Sequence, residues 1–414
     1  MTSFSIQTFG CRVNQAEAFL WADEFQKHGL KYEEDFCRSD LVIVNSCTLT
    51  SRADSDLKGF IRRASSLNPK AKLVVTGCYA ERAAEEVRKI PQVWLVFSNK
   101  EKEDLSRRIL SLFGRESRES ALPFRSRALV KIQDGCNFRC TFCIIPSVRG
   151  RGVSLEKRRI LAQVKEFKGQ GFKEIVLTGV HLCSYGADLE PRSSLLELLQ
   201  EIEGLDGVPR LRLSSLDPRF LEFRLINHLT SSQRICPHFH LSLQSGSDRI
   251  LERMGRKIRA KDYRIILSQL REESPRASLG ADIIVGFPGE SEDDFEQTYS
   301  FLEQSPLTYF HVFAYSPRPG TEASSWNQVE DKAKRKRGAL LRELSRKKNS
   351  RFRQLSLGKD CEAIVIKKEK QRAEVLTSNY FKVSIPSCPY DEREEVRVRI
   401  TKVDRCVTEG EVVD

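Results

Sequence analysis

Short apolar runs alternate with amphipathic stretches along the first quarter of the chain. "SFSIQTFGC", "DLVIVNSC" and "KLVVTGC" read as strands ending in turn residues, while "NQAEAFLWADEFQKHG", "SRADSDLKGFIRRASSL" and "YAERAAEEVRK" carry helical periodicity. This strand–helix rhythm predicts a doubly wound parallel sheet. Each of the three strands runs directly into a cysteine: Cys11, Cys47 and Cys78. Strands of a parallel sheet share a direction, so the three thiols should reach its carboxyl-terminal edge, where such folds hold ligands. The structural alternative is three buried small hydrophobes.

The charged, Ser-rich segment from about 101 to 125 reads as a boundary helix and linker. Beyond it lie six further strand patterns: "ALVKIQDG", "EIVLTGV", "RLRLSSL", "HFHLSLQSG", "GADIIVGFPG" and "YFHVFAYS". Helical patterns separate several of them. In "SSLLELLQEIEG" Ser193 is the expected N-cap and Gly204 lies near the end, and in "SEDDFEQTYSFLEQ" Ser291 and Asp294 are spaced as a capping box. Six βα repeats suggest an incomplete barrel, whose chemistry belongs at the carboxyl ends of the strands: Gly179, Ser215, Gln244, Ser245, Gly286 and Tyr315. The last 55 to 65 residues alternate apolar and polar positions in short runs, the pattern of a small β-barrel.

Composition adds a compartment and a partner. With 414 residues, 40% of them hydrophobic, two or three domains can each bury a core. No apolar run approaches the roughly 18 residues of a membrane span, and the polar opening "MTSFSIQTFG" resembles no signal peptide, so a cytoplasmic protein without a membrane partner is expected. Twelve cysteines in that setting point to metal ligands or reactive thiols, not to a disulfide framework. The net charge of +12 is concentrated between Lys332 and Arg353, where eleven Lys or Arg face one acid, Glu343. A polyanion such as nucleic acid suits this stretch, and a solvated helix with a basic face is the other reading. From 359 to 414, eleven basic residues meet twelve acidic ones, so the small barrel itself is near neutral.

The densest chemistry is "CNFRCTFC", which holds Cys136, Cys140 and Cys143 within eight positions. A structural zinc site or an iron–sulfur cube normally takes four protein ligands. Three thiolates leave one iron of a cube open, and S-adenosylmethionine can chelate that iron beside an electron source. Reductive cleavage then gives a 5′-deoxyadenosyl radical able to attack a C–H bond that no general base could deprotonate. A zinc knuckle short of one ligand is the alternative reading. The spacing Cys-x₃-Cys-x₂-Cys, with Phe142 before the last cysteine, resembles the radical S-adenosylmethionine superfamily. The amino-terminal trio then reads as a second three-ligand cluster, and the pair implies C–H to C–S chemistry.

"TFGCRVNQAEA", "VIVNSCTLTSRADSDLKGFIRR", "VVTGCYAER", "CNFRCTFCIIPSVRGR", "LTGVHLCSYG", "LSLQSGSDRILERMGR", "ADIIVGFPGE" and "YSPRPGT" resemble the methylthiotransferase family across essentially the whole chain. "GCRVNQ", "NSCTLT…AD" and "TGCYAER" are most similar to the branch acting on N6-threonylcarbamoyladenosine at position 37 of tRNA. The resemblance implies a multidomain α/β protein: a doubly wound parallel-sheet amino-terminal domain (1–115), a partial (β/α)6 radical barrel (122–350) and a carboxyl-terminal TRAM-like β-barrel (351–414). It implies two [4Fe–4S] clusters, one on Cys136, Cys140 and Cys143 and an auxiliary one on Cys11, Cys47 and Cys78. S-adenosylmethionine would lie near Phe142, Gly179, Ser215 and Gln244. An external electron donor and a sulfur source are implied partners, and tRNA would meet Lys334, Arg335, Lys336, Arg337, Arg346, Lys347 and Lys348.

Arg149 and Arg151 are further candidates for a substrate phosphate or cofactor carboxylate, or else ordinary surface arginines. Cys37, Cys183, Cys236, Cys361, Cys388 and Cys406 are expected to be non-ligands, and His181, His238 and His240 to be packed or hydrogen-bonded. The same chemistry on isopentenyladenosine-37 or on a ribosomal-protein aspartate is one rival, and a non-catalytic RNA-binding zinc or iron–sulfur protein is another.

Overall fold

The computed structural model describes residues 2–113, 125–369, 372–386 and 388–413. Part of the expected linker, and with it the boundary between 115 and 122, lies outside the described residues. The chain divides into two compact units. One comprises Met1–Arg125, Asp134–Gly152 and Ser316–Ser324, and the other Ser126–Gln133, Val153–Tyr315 and Ser325–Asp414. The triple-cysteine loop therefore groups with the amino-terminal sheet, although it falls inside the sequence range 122–350.

In the first unit the chain runs β1 (Ser3–Thr8), α1 (Arg12–Lys27), β2 (Lys31–Tyr32), β3 (Leu41–Ser46), α2 (Ser51–Leu67), β4 (Lys72–Gly77), α3 (Cys78–Arg82), α4 (Ala84–Arg88), β5 (Val93–Val96) and α5 (Lys102–Phe113). The strands are parallel in the order β2-β1-β3-β4-β5. β3, "LVIVNS", is buried at every position because helices cover both faces of the sheet. Phe4, Ile6, Leu41, Ile43 and Val74 pack with α1 and α5 on one side, and Val42, Val44, Leu73 and Val75 pack with α2, α3 and α4 on the other. β2 and β5 had no counterpart among the expected strands. β2 is too short for any periodicity, and β5 is only half-buried.

The second unit continues through β6 (Ala128–Asp134), α6 (Ile145–Arg149, part of the first unit), β7 (Val153–Ser154), α7 (Lys157–Gly169), β8 (Glu174–Gly179), α8 (Leu195–Glu203), β9 (Arg210–Leu213), α9 (Phe223–Ser231) and β10 (His238–Gln244). There follow α10 (Asp248–Arg253), α11 (Ala260–Glu273), β11 (Ser278–Val285), α12 (Glu292–Gln304), β12 (Tyr309–Ala314) and α13 (Asp331–Gln354). β6, β8 and β9 pair in parallel, as do β10, β11 and β12, and isolated bridges from Leu211 to Ile235 and from Leu216 to Leu241 join the two sheets into the expected open barrel. Ser291 and Asp294 form the expected capping box. The cap of α8 is corrected by one residue. Ser194 accepts the Glu197 N–H, while the Ser193 hydroxyl turns to the Glu197 carboxylate.

β13 (Asp360–Glu369), β14 (Arg372–Thr377), β15 (Lys382–Pro386), β16 (Glu395–Val403) and β17 (Thr408–Val412) close a small barrel in the order β13-β14-β15-β17-β16. Phe352, near the end of α13, packs into its core with Val365, Val375 and Val398. The basic stretch is therefore one continuous helix that crosses the expected boundary at 350/351.

A buried ion cluster ties this barrel to the strands before it. Glu174 at the start of β8 accepts from Arg212 at 2.7 and 2.8 Å and from Arg210 at 2.8 Å, while Arg212 also donates to the carbonyls of Thr377 and Ser378. Burial works against the Glu174 charge, but Arg212, Arg210 and Arg127 outweigh it and hold the carboxyl well below the usual range. A lowered folded-state pKa gives stability that is complete above the ordinary carboxylate pKa and is lost only as pH falls through the lowered value. The cluster is thus expected to persist in mild acid. Glu174→Gln leaves the fully buried Arg212 uncompensated and should cost about 3–5 kcal/mol, read from the shift of the guanidinium unfolding midpoint.

Candidate cluster sites

β1, β3 and β4 are neighbours in the sheet, so the cysteines that end them leave adjacent strands at one edge. Cys11 is the N-cap of α1, Cys47 follows β3 directly and Cys78 opens α3. Two glycines allow the close packing at this edge, Gly10 against a thiol and Gly77 against backbone. Gly10 has φ +95, and a Cβ there would meet the Cys47 Cβ at 2.4 Å and its Sγ at 2.5 Å. Gly77 has φ +99, and a Cβ there would meet the Ser46 carbonyl at 2.3 Å. Cys47 and Cys78 are buried and Cys11 is half-buried.

The thiols are near enough to feel one another. Burial, then the neighbouring Cys11, push the Cys47 thiol up to about 12. Burial also raises Cys11, with Arg149 opposing and Cys78 adding to the rise. Cysteines gathered in this way suit a cationic centre that takes them as thiolates. Among the described residues no set of three or more His, Cys, Asp or Glu converges as ligands of a single ion would. Three cysteines leaving adjacent strands at one sheet edge are a donor set that would suit an iron–sulfur cube with one open iron.

The triple-cysteine loop follows β6 through Gly135, whose φ of +67 and close approach to the Arg151 carbonyl exclude a side chain. The Cys136 N–H donates to the Gly150 carbonyl at 3.1 Å and the Cys143 N–H to the Cys140 carbonyl at 3.0 Å, while the Asn137 side chain accepts from the Gly152 N–H at 3.0 Å. The loop's base is pinned by backbone, and its three thiols stay half-buried. Phe142 is half-buried within it. Arg149, weighed above as a phosphate contact, is instead enclosed: its side chain is 1% exposed and lies among Asp134, Glu17, Asn14 and Cys78. Arg151 is exposed.

In the second unit Gly179 ends β8, Ser215 lies exposed two residues beyond β9, and Gln244 ends β10 with a left-handed φ of 81. A non-glycine residue held there is a strained position of the kind found at functional edges. Sequence reading missed Asp217 at this edge. It accepts from Arg219 at 2.6 Å and lies 3.1 Å from both His181 and Arg256. Burial opposes its charge, but hydrogen bonds from His181 and Arg219 and the Arg256 charge keep it well below the ordinary range. His238 and His240 are packed as expected, each bonded to the Tyr309 hydroxyl.

Three of the seven residues assigned to RNA are corrected. Lys334, Arg337 and Lys348 lie with Leu341, Leu344 and Phe352 at helical spacing on the inner stripe of α13. Arg337 binds Glu290 and Glu292 at 2.7 and 2.9 Å, and Lys334 packs its stem against Gly286. Lys348 donates to the carbonyls of Glu303 and Ser305, and burial lowers its pKa to about 8. Arg335, Lys336, Arg346 and Lys347 are exposed, Arg346 beside Glu343.

Residues 130–302 match the Radical SAM superfamily and residues 3–98 match Uncharacterized protein family UPF0004. Threonylcarbamoyladenosine tRNA methylthiotransferase MtaB of Aquifex aeolicus is 37% identical over 397 residues, covering 92% of this chain and 95% of its own. The chain belongs to the radical S-adenosylmethionine methylthiotransferase family. The protein of the same name from Bacillus subtilis is 33% identical over 439 residues, covering 100% of this chain and 97% of its own. The fold is shared with the radical S-adenosylmethionine methyltransferase TsrM of Kitasatospora setae at a TM-score of 0.55 and 15% identity, over 78% of this chain and 77% of that one. Family membership makes the protein a radical enzyme that uses a [4Fe–4S] cluster and S-adenosylmethionine. Among the described residues no helix is long and apolar enough to cross a membrane.

Proposed function

We propose that this methylthiotransferase converts N6-threonylcarbamoyladenosine at position 37 of tRNA to its 2-methylthio derivative. The observation that carries the reading is that two three-cysteine sets, Cys11, Cys47 and Cys78 and Cys136, Cys140 and Cys143, belong to one compact unit. The relatives named for this tRNA activity support the substrate. Those two sets would each hold a [4Fe–4S] cluster, which with S-adenosylmethionine, an external electron donor and a sulfur source would supply the radical chemistry at the adenine C2 hydrogen and the methylated sulfur. In this reading residues 1–115 carry the auxiliary site, 122–350 the radical chemistry and 351–414 an RNA grip.

The chain's own residues orient and exclude. Phe142, Gly179, Ser215 and Gln244 are proposed to border S-adenosylmethionine. An anticodon loop offers its unpaired base at lower cost than a duplex does. The exposed Arg335, Lys336 and Lys347 hold its backbone, whereas the buried Lys334 and Arg337 and the half-buried Lys348, bonded to the Glu303 and Ser305 carbonyls, serve the fold. Replacing Arg335, Lys336 and Lys347 with glutamine should weaken tRNA binding and reduce the slope of log affinity against log salt by up to about 3, roughly one per lost phosphate contact. Filter binding across a salt series reads this directly, and an unchanged slope assigns the phosphates to other residues.

Mass spectrometry of nucleosides from cells lacking the gene tests the substrate. The 2-methylthio-N6-threonylcarbamoyl nucleoside should disappear while N6-threonylcarbamoyladenosine accumulates. Loss instead of the 2-methylthio isopentenyl nucleoside, or of a methylthio group on a ribosomal-protein aspartate, would replace this substrate with one of those.

A further inference from the structure

Arg149 closes α6, six residues after Cys143, and every partner of its guanidinium lies in the first unit. Its Nη1 donates to both Asp134 carboxylate oxygens at 2.7 and 2.9 Å and to Glu17 Oε1 at 3.2 Å, its Nη2 donates to Asn14 Oδ1, and its Nε donates to the Cys78 Sγ at 3.3 Å. Glu17 is held in turn by the buried Lys102 at 2.6 Å and by the Asn45 side chain at 3.0 Å. Two carboxylates and two cations already balance one another in this network. The sulfur contact is therefore an addition that charge balance does not require.

Burying three ionised groups, Arg149, Glu17 and Lys102, with Asp134 only half-buried beside them, is a poor route to stability, because well-packed apolar residues of similar volume often do as well or better. Hydrogen bonds to cluster sulfurs and nearby positive charge, by contrast, are established means of tuning a cluster's potential. A guanidinium at the Cys78 sulfur favours the added electron of a reduced centre. The same guanidinium is fixed by Asp134, the last residue of β6 before the triple-cysteine loop, so one side chain locates Cys78 with respect to that loop.

We propose that Arg149 is the positioning residue of the amino-terminal site: its N–H on the Cys78 sulfur raises the reduction potential of the centre held by Cys11, Cys47 and Cys78, and its anchors on Asp134 and Glu17 fix that sulfur against the loop bearing Cys136, Cys140 and Cys143. The inference rests on the auxiliary-cluster reading above, and the experiment separates the two.

Full-length protein with Cys136, Cys140 and Cys143 all replaced by alanine is reconstituted anaerobically, so that only the amino-terminal centre loads, and is titrated with reductant under electron paramagnetic resonance. With Arg149→Gln added, the one-electron equilibrium should shift at least about tenfold toward the oxidised form, a midpoint about 59 mV more negative. Arg149→Lys keeps the charge but loses the fixed fork, and should fall between. Equal midpoints in the parent and both variants, each with about four irons per chain, overturn the role of Arg149. Should the glutamine variant fail to load, the lysine variant decides by the same comparison. A parent that binds no iron overturns the cluster assignment, and the inference with it.

Discussion

Cys140→Ala is expected to abolish 5′-deoxyadenosine formation and to halve the iron of reconstituted protein, from about eight to about four per chain, since one of two four-iron cubes is lost. Product falls to background with it, because in the proposed reaction the adenine C2 hydrogen is taken by the radical formed at this site. The loop should survive the change. Its closure depends on backbone bonds from Cys136 to Gly150 and from Cys143 to Cys140, and the Cys140 carbonyl remains in the alanine variant. Unaltered circular dichroism with lost cofactor cleavage would place the effect on the thiolate. Retained cleavage would remove Cys140 from the radical site.

Cys47→Ala is expected to divide the reaction. Iron again falls to about four, yet 5′-deoxyadenosine continues to form because the other trio is intact, while the methylthio nucleoside disappears. Alanine is the suitable replacement: Cys47 is 3% exposed and its sulfur lies over Gly10, where a serine hydroxyl would be buried in an apolar setting. Anaerobic turnover with nucleoside analysis reads both products in one sample. Continued thiomethylation by the variant would exclude Cys47 as an auxiliary ligand.

How far the sequence leads depends on how local the signal is. The strands ending at Cys11, Cys47 and Cys78 were legible because apolar runs stop at turn residues, and parallel direction then carries the thiols to one edge. The six barrel strands and the closed small barrel followed from the same periodicities. The basic stretch misled because lysine and arginine count as surface residues by type. Their helical phase, with 334, 337, 341, 344, 348 and 352 on one stripe, was the signal that separates inner from outer cations. Ser193 and Ser194 both suit an N-cap, and backbone geometry alone chooses between them.

Other features had no local signal. Glu174 meets Arg127, Arg210 and Arg212 across separations of 47, 36 and 38 residues. Arg149, set in "PSVRGRG", looks like a surface residue until the fold brings Asp134, Glu17 and Cys78 around it.

The most direct test of the account uses tRNA carrying N6-threonylcarbamoyladenosine labelled with deuterium at adenine C2, incubated anaerobically with reconstituted protein, S-adenosylmethionine and reductant. The account predicts deuterium in the 5′-deoxyadenosine and a methylthio group at the labelled carbon of the nucleoside. Unlabelled 5′-deoxyadenosine together with an unchanged nucleoside, from protein holding both clusters, would contradict it.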